Sequence, residues 1–229
     1  MTGATRPHDT AGPGAEGPAS RPRAHRPSPA WLPIGLVVAL VAAMALDTTV
    51  VRIDPDAEPA AGTFSPAAFG AAELPRIRAA VETRAVDAVE LAAAIAADKQ
   101  AAAERHGTAA GIGAVMPVRF TGIVGEGRSG VYDVAVKGLP EELRVRVQTG
   151  PAVNGTDLRD APGDILFGQF TNQIEYQDAG AAINDELKRQ VLEGLGSDTL
   201  TGREISITGV FKLVNPKSWL VTPVDVKLL

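Results

Sequence analysis

Met116-Pro117-Val118-Arg119-Phe120-Thr121-Gly122-Ile123-Val124 marks the point where the hydrophobic period of this chain changes from 3.6 to 2. Val118, Phe120 and Val124 alternate with polar or small residues, the pattern of a strand with one buried face. Tyr132, Val134 and Val136 repeat it, and Leu143, Val145 and Val147 alternate with Arg144, Arg146 and Gln148, a strand with one wet face. Turns at Gly125–Gly130 and Gly138–Pro140 separate the runs as hairpins. A polar stretch, Gly150–Gln177, precedes a helix beginning at Asp178, with Ala182, Ile183, Leu187, Val191, Leu192 and Leu195 on one side and Gly194 and Gly196 at its end. Two strands follow, Glu204–Val214 and Trp219–Leu229, joined by the turn Asn215-Pro216-Lys217-Ser218. The order β-β-β-α-β-β predicts an α+β fold whose residues 108–229 form an OB-like five-stranded barrel. Gly122 and Gly209 suit the bends that a small barrel requires, and Phe211 and Trp219 read as core.

Upstream of the barrel the pattern is helical. Ser65-Pro66 opens a helix over about Ala67–Val86, and Asp87 caps a second running to about His106, with Gly107 ending it, so residues 63–107 form a helical segment. Residues 1–30, rich in Pro, Gly, Ala and Arg, have no apolar period and are expected to be disordered. Trp31–Leu46 carries no charge and would span roughly 24 Å as a helix. Arg6, Arg21, Arg23 and Arg26 precede it, while Asp47, Asp54, Asp56 and Glu58 follow. This predicts a signal anchor with its N-terminus in the cytoplasm and the remainder outside. Ala43-Met44-Ala45 also fits a signal-peptidase site, so removal of the segment is the alternative. Residues 47–62 read as an extended linker, because Pro55 and Pro59 deny it a helix.

The chain of 229 residues contains no cysteine, which excludes disulfides, thiolate metal sites and a cysteine nucleophile. Its net charge of −5 argues against a nucleic-acid partner. Of three histidines only His106 falls in the folded part, and no G-x-S-x-G elbow accompanies it, so neither a serine triad nor a histidine metal site is expected. Gly122–Gly127 (GIVGEG) lacks the order of a phosphate loop and reads as a hairpin turn. No cofactor is implied. The candidate ligand or partner surface is the long polar connection: Asn154, Thr156, Arg159, Asp160, Asn172, Gln173, Glu175 and Tyr176. Amides beside an aromatic ring supply the two-ended hydrogen bonds and flat apolar face that carbohydrates require, although amides that tie a connection to a barrel need the same groups. Asp157, Asp160, Asp164 and Glu175 cluster in the same connection, but their spacing matches no calcium loop, and acidic turn residues explain them equally. Asp160 with Glu175 is the pair a glycan hydrolase would use.

The stretches Gly150–Asp160 (GPAVNGTDLRD) and Phe167–Tyr176 (FGQFTNQIEY), with Val50–Pro55 and the terminal VTPVDVKL, resemble a bacterial family of periplasmic lipoproteins of unknown function, class twenty-two ninety-one. The resemblance implies an anchored extracytoplasmic protein without established activity, often encoded beside sugar ABC-transporter components. It thereby names a transporter component or small carbohydrate as the expected partner. It also implies an acylated cysteine near Asp47–Thr49. This chain has none there, which leaves the apolar segment as the expected anchor.

Overall fold

A computed structural model describes residues 37–44, 63–195 and 200–229. The expected tail 1–30, most of the expected span 31–46 and the linker 47–62 lie outside the described residues. The chain divides into two compact units, Met1–Ala57 and Glu58–Leu229. In the first, residues 37–44 form a helix (α1) whose side chains are all exposed. Among the described residues no helix is long and apolar enough to cross a membrane.

The second unit begins with α2 (Pro66–Arg84), β1 (Val86–Asp87), α3 (Ala88–Ala97), α4 (Lys99–His106) and β2 (Thr108–Ala109). Pro66 occupies the first turn of α2 as expected, but the Ser65 side chain makes no cap bond. Asp87 does cap α3, its carboxylate accepting from the Val89 N–H at 2.9 Å. The single helix expected to His106 is instead two. Asp98 adopts an extended conformation, and its carboxylate accepts from the N–H groups of Gln100 and Ala101, so it stops α3 and starts α4. Alanine-rich sequence on both sides gave no sign of the break, because helix propensity is uniformly high there.

The barrel consists of β3 (Ala114–Arg128), β4 (Val131–Val136), β5 (Arg144–Gln148), β6 (Glu204–Lys212) and β7 (Ser218–Leu228). Antiparallel pairs join β3 to β4 and β4 to β5, β5 lies parallel to β7, and β7 and β3 both pair antiparallel with β6. The sheet therefore closes in the order β3-β4-β5-β7-β6 and back to β3. GIVGEG lies inside β3 rather than in a turn. The reversal falls at Ser129-Gly130, both at positive φ, and a register shift between Val124 and Gly127 absorbs the extra residues. At Gly209 a Cβ would sit 2.6 Å from the Thr222 carbonyl oxygen, beside a register shift at Thr208/Gly209. Only glycine allows the strands to approach so closely at that bend.

Two apolar cores lie on opposite faces of the sheet. Met116, Val118, Phe120, Val124, Ile205, Ile207, Phe211, Trp219 and Val221 fill the barrel, with Leu91 and Ile95 of α3 packed among them. Phe211 and Trp219 stack at 4.4 Å between centroids. Val115 and Val210, one residue out of phase with Met116 and Phe211, point the other way. There they meet Leu74, Ile77 and Val81 of α2 and Ile183 and Leu187 of α6 (Gln173–Leu187). Helix α6 continues through a π-helical turn, Lys188–Leu192. Gln148, read from the sequence as solvated, is buried. It donates to Thr222 Oγ1 and bonds the Asn154 backbone in both directions, because it ends its strand where the long connection leaves the barrel.

Truncating Trp219 removes a fully buried indole from the barrel core, and we expect Trp219→Ala to destabilise the domain by about 3–5 kcal/mol in urea titration.

Candidate functional site

The connection between β5 and β6 is not structureless. It holds a short helix α5 (Asp157–Asp160), a 3-10 turn (Phe167–Gln169) and then α6, which starts at Gln173, five residues before the expected Asp178. Asn172 is the reason for the earlier start. Its side chain accepts from the Glu175 N–H at 2.9 Å, while the Glu175 carboxylate accepts from the Thr171 N–H at 2.8 Å. This is the reciprocal logic of a capping box shifted by one residue. Asn172 and Glu175 therefore close a helix end, and Gln173 is exposed on the first turn.

Arg159, Asp160 and Tyr176 do come together. The Arg159 side chain is 8% exposed; its Nε and Nη2 donate to Asp160 Oδ1 at 3.0 and 2.9 Å, and its Nη1 donates to the Tyr176 carbonyl at 3.1 Å. Its guanidinium carbon lies 3.7 Å from the Tyr176 ring centroid, a cation–π contact in a largely desolvated setting. Thr156 Oγ1 donates to Asp160 Oδ2 at 2.7 Å. Lys212, at the end of β6, completes the cluster: its Nζ lies 3.6 Å from Asp157 Oδ1 and 3.5 Å from Asp160 Oδ2. Asp157 belongs to the carboxylate cluster of the connection, whereas Lys212 is not among the sequence candidates. Lys212 is distant in sequence, and only the β3–β6 pairing brings it to the connection.

Arg159, Asp160, Tyr176 and Lys212 floor a groove of about 770 Å³ whose walls include Ile112, Ile165, Leu166 and Val214. Ile112 is 83% exposed and Leu166 59%. Asn154, Thr156 and Asn184 edge a separate, smaller depression of about 210 Å³. There the Asn184 side chain donates to the Gly155 carbonyl at 2.9 Å. The eight sequence candidates thus divide in three: Arg159, Asp160 and Tyr176 line the groove, Asn154 and Thr156 border the depression, and Asn172, Gln173 and Glu175 belong to the start of α6. The expected flat face of Tyr176 is taken by Arg159, and Phe167 and Phe170 pack on the ring at 5.6 and 5.3 Å.

Burial pushes the Asp157 carboxyl above the ordinary aspartate range, against the opposing pull of the Lys212 ammonium. A raised native pKa means that the folded protein favours the neutral acid, a preference fully expressed below the ordinary value of about 3.9 and lost as pH rises through the native value. Asp157→Asn should therefore match the parent protein in strongly acidic urea titrations and gain on it as pH rises towards neutrality. A variant that falls steadily behind over that window would show the Lys212 attraction to dominate.

The barrel and the groove can be set beside known proteins. A crystal structure of an OB-fold protein from Thermotoga maritima superposes with a TM-score of 0.58 at 15% identity, covering 73% of this chain and 99% of that one. The likeness establishes the fold class, mixed α and β with an OB-type barrel. No curated protein matches this sequence significantly. The model of a family described as predicted periplasmic lipoprotein (DUF2291) matches residues 36–227, so that both the barrel and the groove-bearing connection lie inside the matched region, and the chain belongs to that family.

Proposed function

We propose that this protein is a membrane-held extracytoplasmic accessory module that binds through the groove over Arg159, Asp160 and Lys212 and performs no chemistry there. In this reading residues 31–46 are a single-pass anchor with the N-terminus in the cytoplasm. The occupant of the groove is an extracytoplasmic component of a sugar ABC transporter or the small carbohydrate such a system handles. The family's description as periplasmic lipoproteins supports the compartment. One observation carries the preference for binding over catalysis: the ionisable groups of the floor are spent on one another. Asp160 accepts from Arg159 and Thr156 and faces Lys212, which also faces Asp157. A general acid or base needs a pKa tuned to its task and a free path to the substrate proton, whereas a pre-paired set presents a rigid polar surface.

A second reading, hydrolysis of a cell-envelope glycan by Asp160 and Glu175, finds less support. Two carboxylates must flank one glycosidic bond for that chemistry. Asp160 lines the groove, but Glu175 is held on the Thr171 N–H and does not.

A photo-crosslinking residue at position 112, on the groove wall, should capture a transporter component from native membranes, or else a mono- and disaccharide panel should raise the melting temperature. Introduction of a charge by Val214→Asp should abolish either signal. Capture of no transporter component together with a flat sugar panel would refute the binding reading. Release of labelled monosaccharide from envelope glycans, abolished in Asp160→Asn, would favour the hydrolase.

A further inference from the structure

Gly180, in the middle of α6, is a glycine that packing does not require. Glycine within a helix is destabilising relative to alanine, so it needs a reason. Close approach is the reason at Gly70, where a Cβ would lie 2.5 Å from the Ala182 carbonyl oxygen. At Gly180 an added Cβ would meet nothing nearer than Arg159 Nη1, at 3.7 Å, an ordinary van der Waals distance. Gly180 is not among the glycines at positive φ either. Alanine would fit there and would strengthen the helix. What glycine provides is space: Gly180 lines the depression of about 210 Å³ between α6 and the stretch that carries Asn154 and Thr156.

The polar groups left open around that space are acceptors. Asn184 is 8% exposed, and its Nδ2 donates to the Gly155 carbonyl at 2.9 Å. A carbonyl accepts only from the NH₂ end of the amide, so this bond fixes which way Asn184 is turned and leaves Oδ1 on the other side. Oδ1 makes no hydrogen bond among the described residues, where the buried side-chain atom left unpartnered is Arg146 Nε. Asn184 Oδ1 is therefore open to solvent, in the depression that this side chain lines. Asp185, the next residue, lines the same depression, and its carboxylate forms no hydrogen bond or ion pair among the described residues. Of the residues lining the depression Asp185 alone is charged. Arg159, close to Gly180, is neutralised by Asp160 at 2.9 Å.

We infer that the depression over Gly180 binds a primary ammonium group, its N–H donors directed to Asn184 Oδ1 and the Asp185 carboxylate and its adjoining carbon set on Val153 and Ala181. An ammonium brings three donors and a positive charge, and so answers both the unpartnered acceptors and the uncompensated carboxylate. A hydroxyl brings a single donor and no charge. Calcium would need several more oxygen ligands than one carboxylate and one amide provide. The volume falls below the roughly 300 Å³ at which pockets for whole small molecules begin, so the site takes a very small amine or the amine end of a larger ligand. None of its lining residues lines the groove, so its occupancy is independent of what the groove holds.

The asparagines of the chain are Asn154, Asn172, Asn184 and Asn215, so isotopic labelling of asparagine nitrogen in the full chain gives a sparse NMR spectrum. Asn154 and Asn184 report on the depression, and Asn172 and Asn215 serve as controls away from it. In phosphate buffer with phosphatidylcholine bicelles, ethylammonium should shift the Asn184 side-chain and Asn154 signals saturably and leave the controls in place. Tetramethylammonium, which has the charge but no N–H, and ethylene glycol, which has donors but no charge, should move none of them at the same concentrations. Glycerophosphoethanolamine, run beside ethylammonium, separates a lipid headgroup from a free amine as the source, and tighter binding of either supports the site. Gly180→Ala should keep the control signals, hold or raise the melting temperature and weaken ethylammonium binding by about tenfold or more. Asp185→Asn, which removes one charge-assisted partner, should weaken it comparably. Four results would each overturn the inference: Asn184 signals that never shift, an equal response to tetramethylammonium, saturation by the diol alone, or a Gly180→Ala chain that binds ethylammonium as the parent does.

Discussion

The double pairing of β3 is the constraint on which the rest of the unit depends. One edge of this strand bonds β4 and the other bonds β6, and the second pairing turns a meander into a closed barrel. Closure then dictates where the chain must go. After β5 it cannot turn back into an adjacent strand, because the position beside β5 belongs to β7, in parallel. The chain must instead travel across the barrel to begin β6 beside β3, and parallel neighbours always demand such a crossover. Residues 149–203 make that journey, and they supply α6 and, with Ile112, Lys212 and Val214 from the barrel's strands and turns, the groove and its charge cluster. The site exists because the barrel closes.

Closure also creates the second core. In β3 and β6 adjacent residues, Val115 with Met116 and Val210 with Phe211, serve opposite faces. A solvated outer face would not need Val115, Val210 and Val224. They are buried because α2 and α6 cover them, and the fit is close: a Cβ on Gly70 of α2 would lie 2.5 Å from the Ala182 carbonyl oxygen of α6. The helical segment before the barrel is thus split in function, α3 filling the interior from one side and α2 pairing with α6 on the other.

How much of this was legible in the sequence follows from the range of the interactions involved. Period-2 alternation is local and strong, so five strands and their order could be read, as could the Asp87 cap and the buried Trp219 and Phe211. The Asp98 break could not, because a helix that stops and restarts within alanine-rich sequence leaves its periodicity almost intact. The start of α6 was legible in principle: Asn172-x-x-Glu175 is a cap spacing, masked because the same amide and carboxylate also suit ligand binding. The groove was only half legible. Arg159, Asp160 and Tyr176 belong to one connection, but Lys212 and Ile112 reach it through strand pairing, and neither composition nor spacing records a pairing.

The charge cluster also sets the surroundings of Tyr176, which lines the groove. An exposed tyrosine beside amides reads as a platform for a sugar ring. In the folded chain the Arg159 guanidinium lies over that ring and is itself buried. A buried arginine left alone would be strongly unfavourable, so its surroundings must supply a carboxylate and acceptors, and Asp160 and the Tyr176 carbonyl do so. Tyr176 is then fixed on several sides, by Arg159 over its face, by Phe167 and Phe170 around it, and by its own backbone. The ring thus joins the polar floor of the groove to Phe167 and Phe170. The groove therefore has apolar walls, Ile112, Leu166 and Val214, over a floor of paired charges. Those three side chains are 83%, 59% and 56% exposed, so the accessible surface of the groove is mainly apolar, lying over charges that pair with one another.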